Sequence, residues 1–330
     1  MSLKGRTVVV TGADGFIGSH LVEALVAAGA SVRAFCFYNS GGSYGWLDGL
    51  ADDVKGAIDL RLGDIRDTGT VDALCQDAEI VFHLAALIAI PYSYQAPRSF
   101  IETNITGTLN VLEGAKRHGC ARMIQTSTSE VYGTPETLPI TEAHPLKGQS
   151  PYSASKIGAD QLCESYWRSF GTPVITLRPF NTYGPRQSAR AVIPTIIAQA
   201  LSGRRSLKLG SLTPKRDLTF VSDTVAGFLA AAEAPHLLGE TIQLGTGRTE
   251  SIGDVVDLVA AILGVKLETV QDDRRVRPAA SEVDVLLSNP AKAATLIGWQ
   301  AGTSLEQGLE QTIGWMRKNL RYYAPDHYAV

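Results

Sequence analysis

The fold is decided near the beginning of the chain by the stretch Thr7-Val-Val-Val-Thr-Gly-Ala-Asp-Gly-Phe-Ile-Gly18. Its first five residues are β-branched, which favours a strand, and apolar residues then recur at helical spacing over Ile17–Ala28. Gly12, Gly15 and Gly18 form the turn between the two. Glycines let such a turn tighten and let the backbone approach a pyrophosphate, which binds at the positive end of the helix. The stretch therefore predicts a dinucleotide-binding strand–turn–helix unit.

The same alternation continues along the chain. Strand-like segments recur at 31–37, 58–62, 80–84, 123–126 and 174–178, and helix-like segments at 68–76, 96–118 and 153–170. This order predicts an α/β fold, a doubly wound parallel sheet with helices on both faces. After Pro179 the pattern loosens, although 223–233 and 241–245 read as one more helix–strand unit of the sheet. We expect a Rossmann domain of residues 1–180 plus about 219–247, and a smaller discontinuous α/β substrate domain of residues 181–218 and 248–330.

Composition narrows the function classes. The chain has 330 residues and a formal charge of −3, which gives no reason to expect nucleic acid or an anionic membrane as partner. Arg6 leads straight into the first strand, so we expect no signal peptide. The four cysteines are scattered without a Cys-x-x-Cys pair, and the six histidines lack metal-ligand spacing. We therefore expect a cytoplasmic protein with no metal site.

Tyr152 and Lys156 form the candidate catalytic pair, about twenty-five residues after Ser127-Thr-Ser-Glu130. Residues four apart share one face of a helix, so the ammonium lies beside the phenol. A free phenol has a pKa of about 10 and is a weak base at neutral pH. A neighbouring cation favours the phenolate, so the pair could take a proton from a sugar hydroxyl while a hydride leaves the same carbon.

The second strand ends in Ala34-Phe-Cys-Phe-Tyr-Asn-Ser40, with no carboxylate until Asp48. An acidic residue at this point normally holds the ribose of NAD and repels the 2′-phosphate of NADP. Asn39, Ser40 and Arg33 could receive that phosphate, so the sequence favours NADP slightly over NAD. Asp64 lies one strand further on and could either reach the adenine or shape a turn.

Several further motifs carry a resemblance to a known family. They are His83-Leu-Ala-Ala86, Asn104, Ser127-Thr-Ser-Glu-Val-Tyr-Gly133, Arg178-Pro-Phe-Asn181, Arg216-Asp-Leu-Thr-Phe-Val-Ser-Asp223 and Arg277-Pro278. With the glycine turn and the Tyr–Lys pair, the chain resembles the extended short-chain dehydrogenases of the NAD-dependent epimerase/dehydratase family, which act on nucleotide sugars. The stretches Ala86–Ser93 and Gly184–Pro194 look most like the N-acetylglucosamine-nucleotide 4,6-dehydratases of legionaminic acid biosynthesis.

The resemblance implies a role for each catalytic residue. Tyr152 would deprotonate the sugar 4-hydroxyl while NAD(P)⁺ takes the C4 hydride, with Thr128 near O4 and Lys156 on the nicotinamide ribose. The resulting ketone acidifies the C5 proton, which Glu130 would remove. Water would then leave from C6, and the hydride would return to C6.

The resemblance also implies the two binding surfaces and a homodimer. The cofactor contacts would be Gly12, Gly15, Phe16, Ile17, Gly18, Asn39, Ser40, Asp64, Ile65, Leu84, Ala85, Ala86, Asn104, Thr126, Tyr152, Lys156 and Pro179. The contacts to the nucleotide-diphosphate sugar would be Ile88, Pro91, Asn181, Arg186, Arg190, Val192, Arg216 and Arg277. Arg216 and Arg277 would clamp the diphosphate. Family members often dimerise through the helices that here are 96–118 and 153–170.

One position departs from the dehydratase pattern. Many hexose 4,6-dehydratases carry an Asp where this chain has Ser129, and that Asp is the acid for the departing C6 hydroxyl. A serine cannot supply a proton as a carboxylic acid does. Either Glu130 both takes and gives the proton, or a water or a tyrosine relays it, or the reaction stops at an unsaturated intermediate.

Three alternative functions stay open. UDP-glucuronate decarboxylases share the Ser-Thr-Ser-Glu motif, and Arg186 and Arg190 could hold a uronate, whereas the apolar stretch Ile88–Pro91 favours a neutral sugar. Plain 4-epimerases usually lack a Glu at position 130. Relatives that serve as redox sensors usually lose the Tyr or the Lys, and both are present here. No motif separates uridine from guanosine nucleotides.

Overall fold

The computed structural model describes residues 2–323. The strands, in chain order, are β1 (Thr7–Thr11), β2 (Ser31–Phe37), β3 (Ile58–Gly63), β4 (Ile80–His83), β5 (Arg122–Thr126), β6 (Val174–Pro179), β7 (Asn181–Tyr183), β8 (Ser206–Leu209), β9 (Lys215–Arg216), β10 (Leu218–Phe220), β11 (Thr241–Leu244), β12 (Glu250–Ser251), β13 (Glu268–Gln271) and β14 (Val285–Leu286). The α-helices are α1 (Phe16–Ala27), α2 (Asp52–Gly56), α3 (Thr68–Cys75), α4 (Ile90–Gln95), α5 (Pro97–Phe100), α6 (Gly107–Arg117), α7 (Pro151–Phe170), α8 (Val192–Leu201), α9 (Val221–Glu233), α10 (Ile252–Leu263), α11 (Ala291–Ile297) and α12 (Leu305–Asn319).

The centre of the molecule is a seven-stranded parallel sheet in the order β11-β6-β5-β4-β1-β2-β3. Both faces of β1 are buried, because Val8 and Val10 pack on one side with α1 and α9 while Val9 packs on the other with α3 and α6. A strand covered on both faces reads as a continuous apolar run, which is how 7–11 reads in the sequence. The predicted doubly wound Rossmann fold is confirmed.

The strand order reverses at β1, with β2 and β3 on one side and β4, β5 and β6 on the other. In open α/β sheets, ligands bind in the crevice at the carboxyl ends of the strands where the order reverses. That crevice lies between the turn after β1 and the residues after β4. The fold therefore brings the glycine turn and the motif at 83–86 to one place.

The second half of the chain adds smaller sheets beside the main one. β7 pairs with β10, β9 pairs with β12 and β14, and β8 pairs with β13. The α9–β11 unit returns to the main sheet beside β6, as predicted. One hydrophobic core runs from Leu21 of α1 to Leu309 and Met316 of α12. The predicted division into two domains stays a prediction.

The segment predicted as one helix over 96–118 consists of three helical pieces. α5 is followed by a π-helix over Ile101–Thr106 and then by α6. Such π segments often occur at functional sites. Here the π-helix carries Asn104, whose buried side chain reaches two other segments of the site. In the described part of the chain, no helix has both the length and the apolar character needed to cross a membrane.

Candidate active site

The turn between β1 and α1 is shaped as a cradle. Gly12 has a φ of +67°, and a Cβ there would lie 2.8 Å from the backbone nitrogen of Ala85. A Cβ at Gly18 would collide with the carbonyl oxygen of Gly12. Gly15 occupies the N-cap position of α1 but provides no side-chain hydrogen bond to the helix, and the first turn of α1 contains no acidic residue. The first N–H groups of α1, at Phe16, Ile17 and Gly18, therefore have no partner within the helix and are suited to an anion.

A buried histidine fixes the residues that face this cradle. The hydroxyl oxygen of Thr11 accepts hydrogen bonds from the N–H groups of Leu84 and Ala85, at 3.1 Å each. Its own proton is then donated to Nδ1 of His83, at 2.8 Å. Nε2 of His83 donates to Thr108 at 3.1 Å. Burial lowers the pKa of His83 to about 3, so the ring is neutral and serves as a brace.

Asn104 connects the π-helix to the same region. Its amide oxygen accepts from the N–H of Leu87 at 2.8 Å, and its amide nitrogen donates to the carbonyl of Leu87 and to the hydroxyl of Ser155, at 2.9 Å each. Ser155 in turn donates to the carbonyl of Tyr152 at 2.7 Å. The predicted cofactor residue Asn104 thus holds Ala86 and its neighbours against the helix that carries Tyr152.

The residues predicted to bind the adenosine half of the cofactor differ in their contacts and burial. The amide of Asn39 donates to the carbonyls of Phe37 and Ser43 and so shapes its own loop, in which Ser40 is exposed. Asp64 forms an ion pair with Arg66 at 2.6 Å, which lowers the pKa of the Asp64 carboxyl. Ile65 is buried, and its side chain fills the space that a Cβ at position 107 would need.

Arg33 is not part of the site, so its interpretation as a 2′-phosphate ligand is wrong. It lies opposite Val9 in the sheet, well before the carboxyl end of β2. Its guanidinium donates to the carbonyls of Leu74, in the last turn of α3, and Gln76, just after it, at 2.5 and 2.8 Å. Strand periodicity predicts that residue 33 lies in a strand, but it does not predict which neighbouring carbonyls the side chain reaches.

Tyr152 is held at the start of α7. Ser150 and Ser153 cap this helix reciprocally, and Pro151 is its first residue. The phenol ring of Tyr152 packs edge-on against Phe100, with ring centroids 6.2 Å apart. The phenol is hydrogen-bonded to Thr128. Packing and capping together fix the position of the hydroxyl.

The acidity of this phenol differs from the prediction. Burial raises the pKa of Tyr152 above its usual value; the hydrogen bond with Thr128 lowers the pKa, and the charges of Glu130 and Asp160 raise it further. The prediction that a neighbouring cation leaves Tyr152 with a lowered pKa is therefore wrong for the protein's own groups. Spacing of four residues identifies the pair, but it does not reveal how completely the phenol is buried.

Lys156 points to the end of β5. Its ammonium donates to the carbonyl oxygen of Thr126 at 2.6 Å. Burial lowers the pKa of Lys156, while the charge of Asp160 raises it. The hydroxyl of Thr126 is buried and has no hydrogen-bond partner among the described residues, so it is available to a ligand in the crevice. Pro179 is buried at the end of the neighbouring strand β6.

Glu130 lies in a group of four charged side chains. Its carboxylate is 3.8 Å from Nη1 of Arg277, which lies 3.7 Å from the carboxylate of Glu282. Arg216 donates to the same oxygen of Glu282 at 2.8 Å. The two predicted diphosphate ligands, Arg216 and Arg277, are thus brought together beside the predicted base. Ser129, the residue at which the sequence departs from the expected Asp, is buried next to Glu130.

The remaining predicted substrate residues are spread over the mouth of the crevice. The side-chain oxygen of Asn181 is buried without a hydrogen-bond partner among the described residues. Ile88 and Arg190 are exposed, whereas Pro91 and Val192 are half-buried. Arg186 donates to Ser19 at 3.2 Å and to Glu23 at 2.6 Å, both on α1. Its positive charge is therefore paired with a carboxylate of the protein.

The model of the GDP-mannose 4,6-dehydratase family matches residues 9–312 of this chain. The dTDP-glucose 4,6-dehydratase of Streptomyces antibioticus is 32% identical over 323 residues, which cover 96% of this chain and 94% of the relative.

The chain belongs to this family of nucleotide-sugar-modifying short-chain dehydrogenases.

Further relatives and solved structures similar to this chain include a decarboxylase, a second dehydratase and an epimerase. UDP-glucuronic acid decarboxylase 1 of Xenopus tropicalis is 31% identical to this chain. The matched region spans 98% of this chain and 75% of the decarboxylase. The dTDP-glucose 4,6-dehydratase of Streptomyces venezuelae, solved with NAD bound, has a TM-score of 0.87 at 28% identity, with 97% and 99% of the two chains covered. The UDP-glucuronic acid 4-epimerase of Bacillus cereus, solved with UDP-glucuronic acid and NAD, has a TM-score of 0.86 at 28% identity, with 95% and 99% covered.

The cradle of this family member fits such a dinucleotide. Glycine is required at position 12 by both the positive φ and the approach of residue 85, and the uncapped start of α1 offers N–H groups to a pyrophosphate. The unpartnered hydroxyl of Thr126 and the ammonium of Lys156 lie further along the crevice. An NAD(P) cofactor is therefore consistent with the residues present.

Sequence reasoning missed two features of the site. Glu282, which pairs with Arg216, stands in a stretch without a recognisable pattern and meets its partner only through the fold. Asp160 is buried one helical turn after Lys156 and forms an ion pair with Arg178 at 3.0 Å. The helical spacing of Asp160 from Lys156 is a signal that could have identified it.

Proposed function

We propose that the protein is a nucleotide-sugar 4,6-dehydratase that acts on UDP- or GDP-N-acetylglucosamine and forms the 4-keto-6-deoxy sugar. The observation that carries this proposal is the carboxylate of Glu130, placed beside the Thr128–Tyr152 hydrogen bond. With a bound nicotinamide as hydride acceptor, a Tyr–Lys pair would be sufficient to oxidise C4 and to reduce it again. Breaking the C5–H and C6–O bonds needs a further base, and Glu130 is a carboxylate in that position.

In the first step, Tyr152 takes the proton of the sugar 4-hydroxyl, while Thr128 holds the phenol in place. When bound, the oxidised nicotinamide supplies the hydride acceptor and a positive charge that favours the phenolate. Lys156 is held by the carbonyl of Thr126, where its charge is close to the end of β5. Because burial raises the pKa of Tyr152, its protonated form predominates at neutral pH until this cationic environment is complete.

In the second step, Glu130 removes the C5 proton that the 4-ketone has made acidic. Arg277 lies 3.8 Å from this carboxylate and is its nearby opposite charge. Ser129 cannot act as the acid for the C6 hydroxyl, so we propose that Glu130 delivers the same proton to O6, which leaves as water. The C5 proton and the C6 hydroxyl together account for the water that is lost. Return of the C4 hydride to C6 and of one proton to C5 would then complete the 4-keto-6-deoxy sugar, and the proton that Tyr152 has taken from the 4-hydroxyl balances the one that C5 receives.

The substrate would lie between Glu130 and the small sheets of the second half. Arg216 and Arg277 would bind the diphosphate, and the unpartnered oxygen of Asn181 would accept a hydrogen bond from the sugar. The exposed side chain of Ile88 and the half-buried Pro91 provide an apolar surface for a neutral, acylated sugar. This chemistry agrees with the resemblance to the dehydratases of legionaminic acid biosynthesis.

The second candidate is decarboxylation of UDP-glucuronate, which the relative from Xenopus tropicalis supports. It shares C4 oxidation, and it would need a cation for the uronate carboxylate. Arg190 is exposed and could provide one, whereas Arg186 is paired with Glu23. Epimerisation at C4 would not need Glu130, so we rank it third.

We further propose NAD as the cofactor, in place of the slight preference for NADP that the sequence indicates. Asp48 accepts hydrogen bonds from Ser43 at 2.6 Å and from the N–H of Tyr44 at 3.1 Å, and Asp14 accepts from the N–H of Phe37 at 3.3 Å. Two carboxylates near the end of β2 would repel a 2′-phosphate. Asp48→Asn should therefore lower the preference for NAD over NADP by a few-fold (about 0.5–1 kcal/mol), measured as the ratio of their dissociation constants. An unchanged ratio would contradict this assignment.

We also propose a cytoplasmic homodimer. Ile101 of the π-helix and Phe170 of α7 each expose more than half of their surface, at 53% and 58%. Both belong to the helices through which relatives often pair, and burying them against a second copy would remove apolar surface from water. Sedimentation of wild type and of Ile101→Glu would test this assembly.

The function is tested by incubating the purified protein with UDP-GlcNAc, GDP-GlcNAc and UDP-glucuronate and analysing the products by mass spectrometry. Loss of one water from a GlcNAc nucleotide would support the dehydratase and identify the nucleotide. Loss of carbon dioxide from the glucuronate would establish the decarboxylase, and the argument from Ile88 and Pro91 would then be wrong.

A further inference from the structure

Residues 127–132, which include Thr128 and Glu130, are hydrogen-bonded at both ends to the two members of one buried ion pair. At its start, the hydroxyl of Ser127 donates to Oδ2 of Asp160 at 2.7 Å. At its end, the phenol oxygen of Tyr132 accepts from Nη1 of Arg178 at 3.0 Å. Asp160 and Arg178 are joined directly, because Nε and Nη2 of the guanidinium donate to the same Oδ2 at 3.2 and 3.0 Å.

The two anchoring residues come from the elements that carry the rest of the site. Asp160 is on α7, one turn after Lys156, and Arg178 is on β6. The exposed fractions of the Arg178 and Asp160 side chains are only 6% and 3%. Gln243 of β11 adds a hydrogen bond to the phenol oxygen of Tyr132 at 2.7 Å. The ring of hydrogen bonds therefore joins the catalytic helix, two sheet strands and the 127–132 segment.

A buried ion pair is by itself weak evidence of a stabilising role, because desolvation opposes the attraction of the charges. This pair has a second property, since each member also bonds one end of the same short segment. We propose that Asp160 and Arg178 are positioning residues that hold Thr128 and Glu130 in register with Tyr152. The inference rests on the proposed function, and it assigns to this buried pair a task that neither Tyr152 nor Lys156 can perform.

Asp160 also acts on Lys156 of the catalytic helix. Burial lowers the pKa of Lys156, while Asp160 and Cys163 on α7 raise it. His83 on β4 also faces Lys156 but is neutral, since its pKa is about 3. Asp160 is then the nearby carboxylate that favours the ammonium form. The other oxygen of this carboxylate, Oδ1, is buried and makes no hydrogen bond within the described residues, so its charge is not fully satisfied by direct contacts.

The inference is tested with variants that remove one anchor without leaving a buried charge unpaired. Ser127→Ala removes the first anchor, and Tyr132→Phe removes the second. Small displacements of catalytic groups can cost up to about 10²-fold in rate, and we expect a roughly tenfold loss of kcat in each variant. KM and the amount of bound cofactor should stay within about twofold of wild type. The matched control is Tyr166→Phe, which removes a phenol further along α7 that donates to Glu113 of α6.

The two anchors should also affect different steps. Ser127 adjoins Thr128, so Ser127→Ala should slow reduction of the bound nicotinamide. Tyr132 lies two residues after Glu130, so Tyr132→Phe should slow incorporation of solvent deuterium at C5 more than it slows that reduction. A purely structural role would lower the melting temperature and both steps together.

Three results would overturn the inference: wild-type kcat in both anchor variants, an equal loss in Tyr166→Phe, or losses that only follow the folded fraction. If the wild type releases no water from any nucleotide sugar, the proposed function fails. The anchors are then judged on reduction of the bound nicotinamide, because epimerisation and decarboxylation also begin with oxidation at C4. In that case Ser127→Ala must still slow the reduction, or the inference fails as well.

Discussion

The floor and the mouth of the crevice are built in different ways. At the floor, the side chains around Tyr152 and Lys156 are buried and are joined by hydrogen bonds to strands β5, β6 and β11 and to helix α7. At the mouth, Arg277 lies 3.7 and 3.8 Å from two carboxylates and forms no hydrogen bond through Nη1 within the described residues. Ile88 and Arg190 are exposed there. The floor is fixed by the fold, whereas the mouth keeps polar groups that a ligand could satisfy.

This difference suits the two regions to different tasks, C4 oxidation at the floor and recognition of the sugar at the mouth. The proposed dehydration and both alternatives would begin with oxidation at C4, and the residues proposed for that step lie at the floor. What distinguishes the three reactions is the sugar and the groups around C5 and C6, which lie toward the mouth. If the comparison is correct, changes at the floor lower kcat and changes at the mouth alter KM.

The largest effect should follow the removal of the phenol hydroxyl at the floor. Tyr152→Phe keeps the packing against Phe100 but has no group to take the proton of the 4-hydroxyl. We expect kcat to fall by about 10³-fold, with KM and cofactor content nearly unchanged, as measured by product formation under saturating substrate. Full turnover by this variant would show that the floor does not carry the chemistry.

The next largest effect should come from Glu130, which stands between the two regions. Glu130→Gln still allows C4 oxidation but cannot remove the C5 proton, so bound nicotinamide should become reduced while the dehydrated product forms about 10²-fold more slowly. Absorbance of the reduced nicotinamide and mass spectrometry of the sugar measure the two steps separately.

Glu136→Gln is the matched control, since Glu136 is an exposed carboxylate in the loop that follows. Equal product formation by Glu130→Gln and Glu136→Gln would exclude Glu130 as the C5 base.

At the mouth, Arg216→Gln should act on binding. A charge-assisted hydrogen bond contributes about 1.5–3 kcal/mol, so KM for the nucleotide sugar should rise by roughly tenfold or more, with a smaller change in kcat. Steady-state kinetics measure both constants. Arg168→Gln is the control, because Arg168 forms an exposed ion pair with Glu164 on the surface of α7. A decrease in kcat with no change in KM would mean that Arg216 acts in the chemical step, as the residues at the floor do, and not in binding.

The smallest expected effect is tighter, not weaker, binding of the nucleotide. Glu282 accepts a hydrogen bond from Arg216 and would compete with the diphosphate for that guanidinium. Glu282→Gln removes the competing charge, so the dissociation constant of the free nucleoside diphosphate should fall by about two- to fivefold, as measured by calorimetry. Weaker binding by this variant would mean that Glu282 holds Arg216 in its binding position.

The floor is also the part of the molecule that the sequence describes best. The glycine turn and the Tyr–Lys spacing are local patterns, and their side chains lie where a strand, turn and helix must put them. Burial is a property of the whole fold, so the raised pKa of Tyr152 could not be predicted from a spacing of four residues. The π-helix around Asn104 also escaped prediction, because helical periodicity does not distinguish it from an α-helix.

The mouth depends on contacts between distant parts of the chain. Arg216 and Glu282 are 66 residues apart and meet only when the small sheets form. Arg186 was a plausible substrate ligand in the sequence, yet its guanidinium pairs with Glu23, which lies 163 residues earlier. Residue type alone indicates that an arginine could bind an anion, but only the fold determines which anion it meets.

The most direct test of the proposed dehydration follows the hydride itself. UDP-GlcNAc and GDP-GlcNAc carrying deuterium at C4 are converted by the protein in ordinary water, and the position of the label is determined by NMR. Dehydration with return of the hydride to C6 predicts a product that has lost one water and carries the deuterium at C6. Deuterium that returns to C4 without loss of water would contradict the proposed dehydration and would show that the reaction is limited to oxidation and reduction at C4.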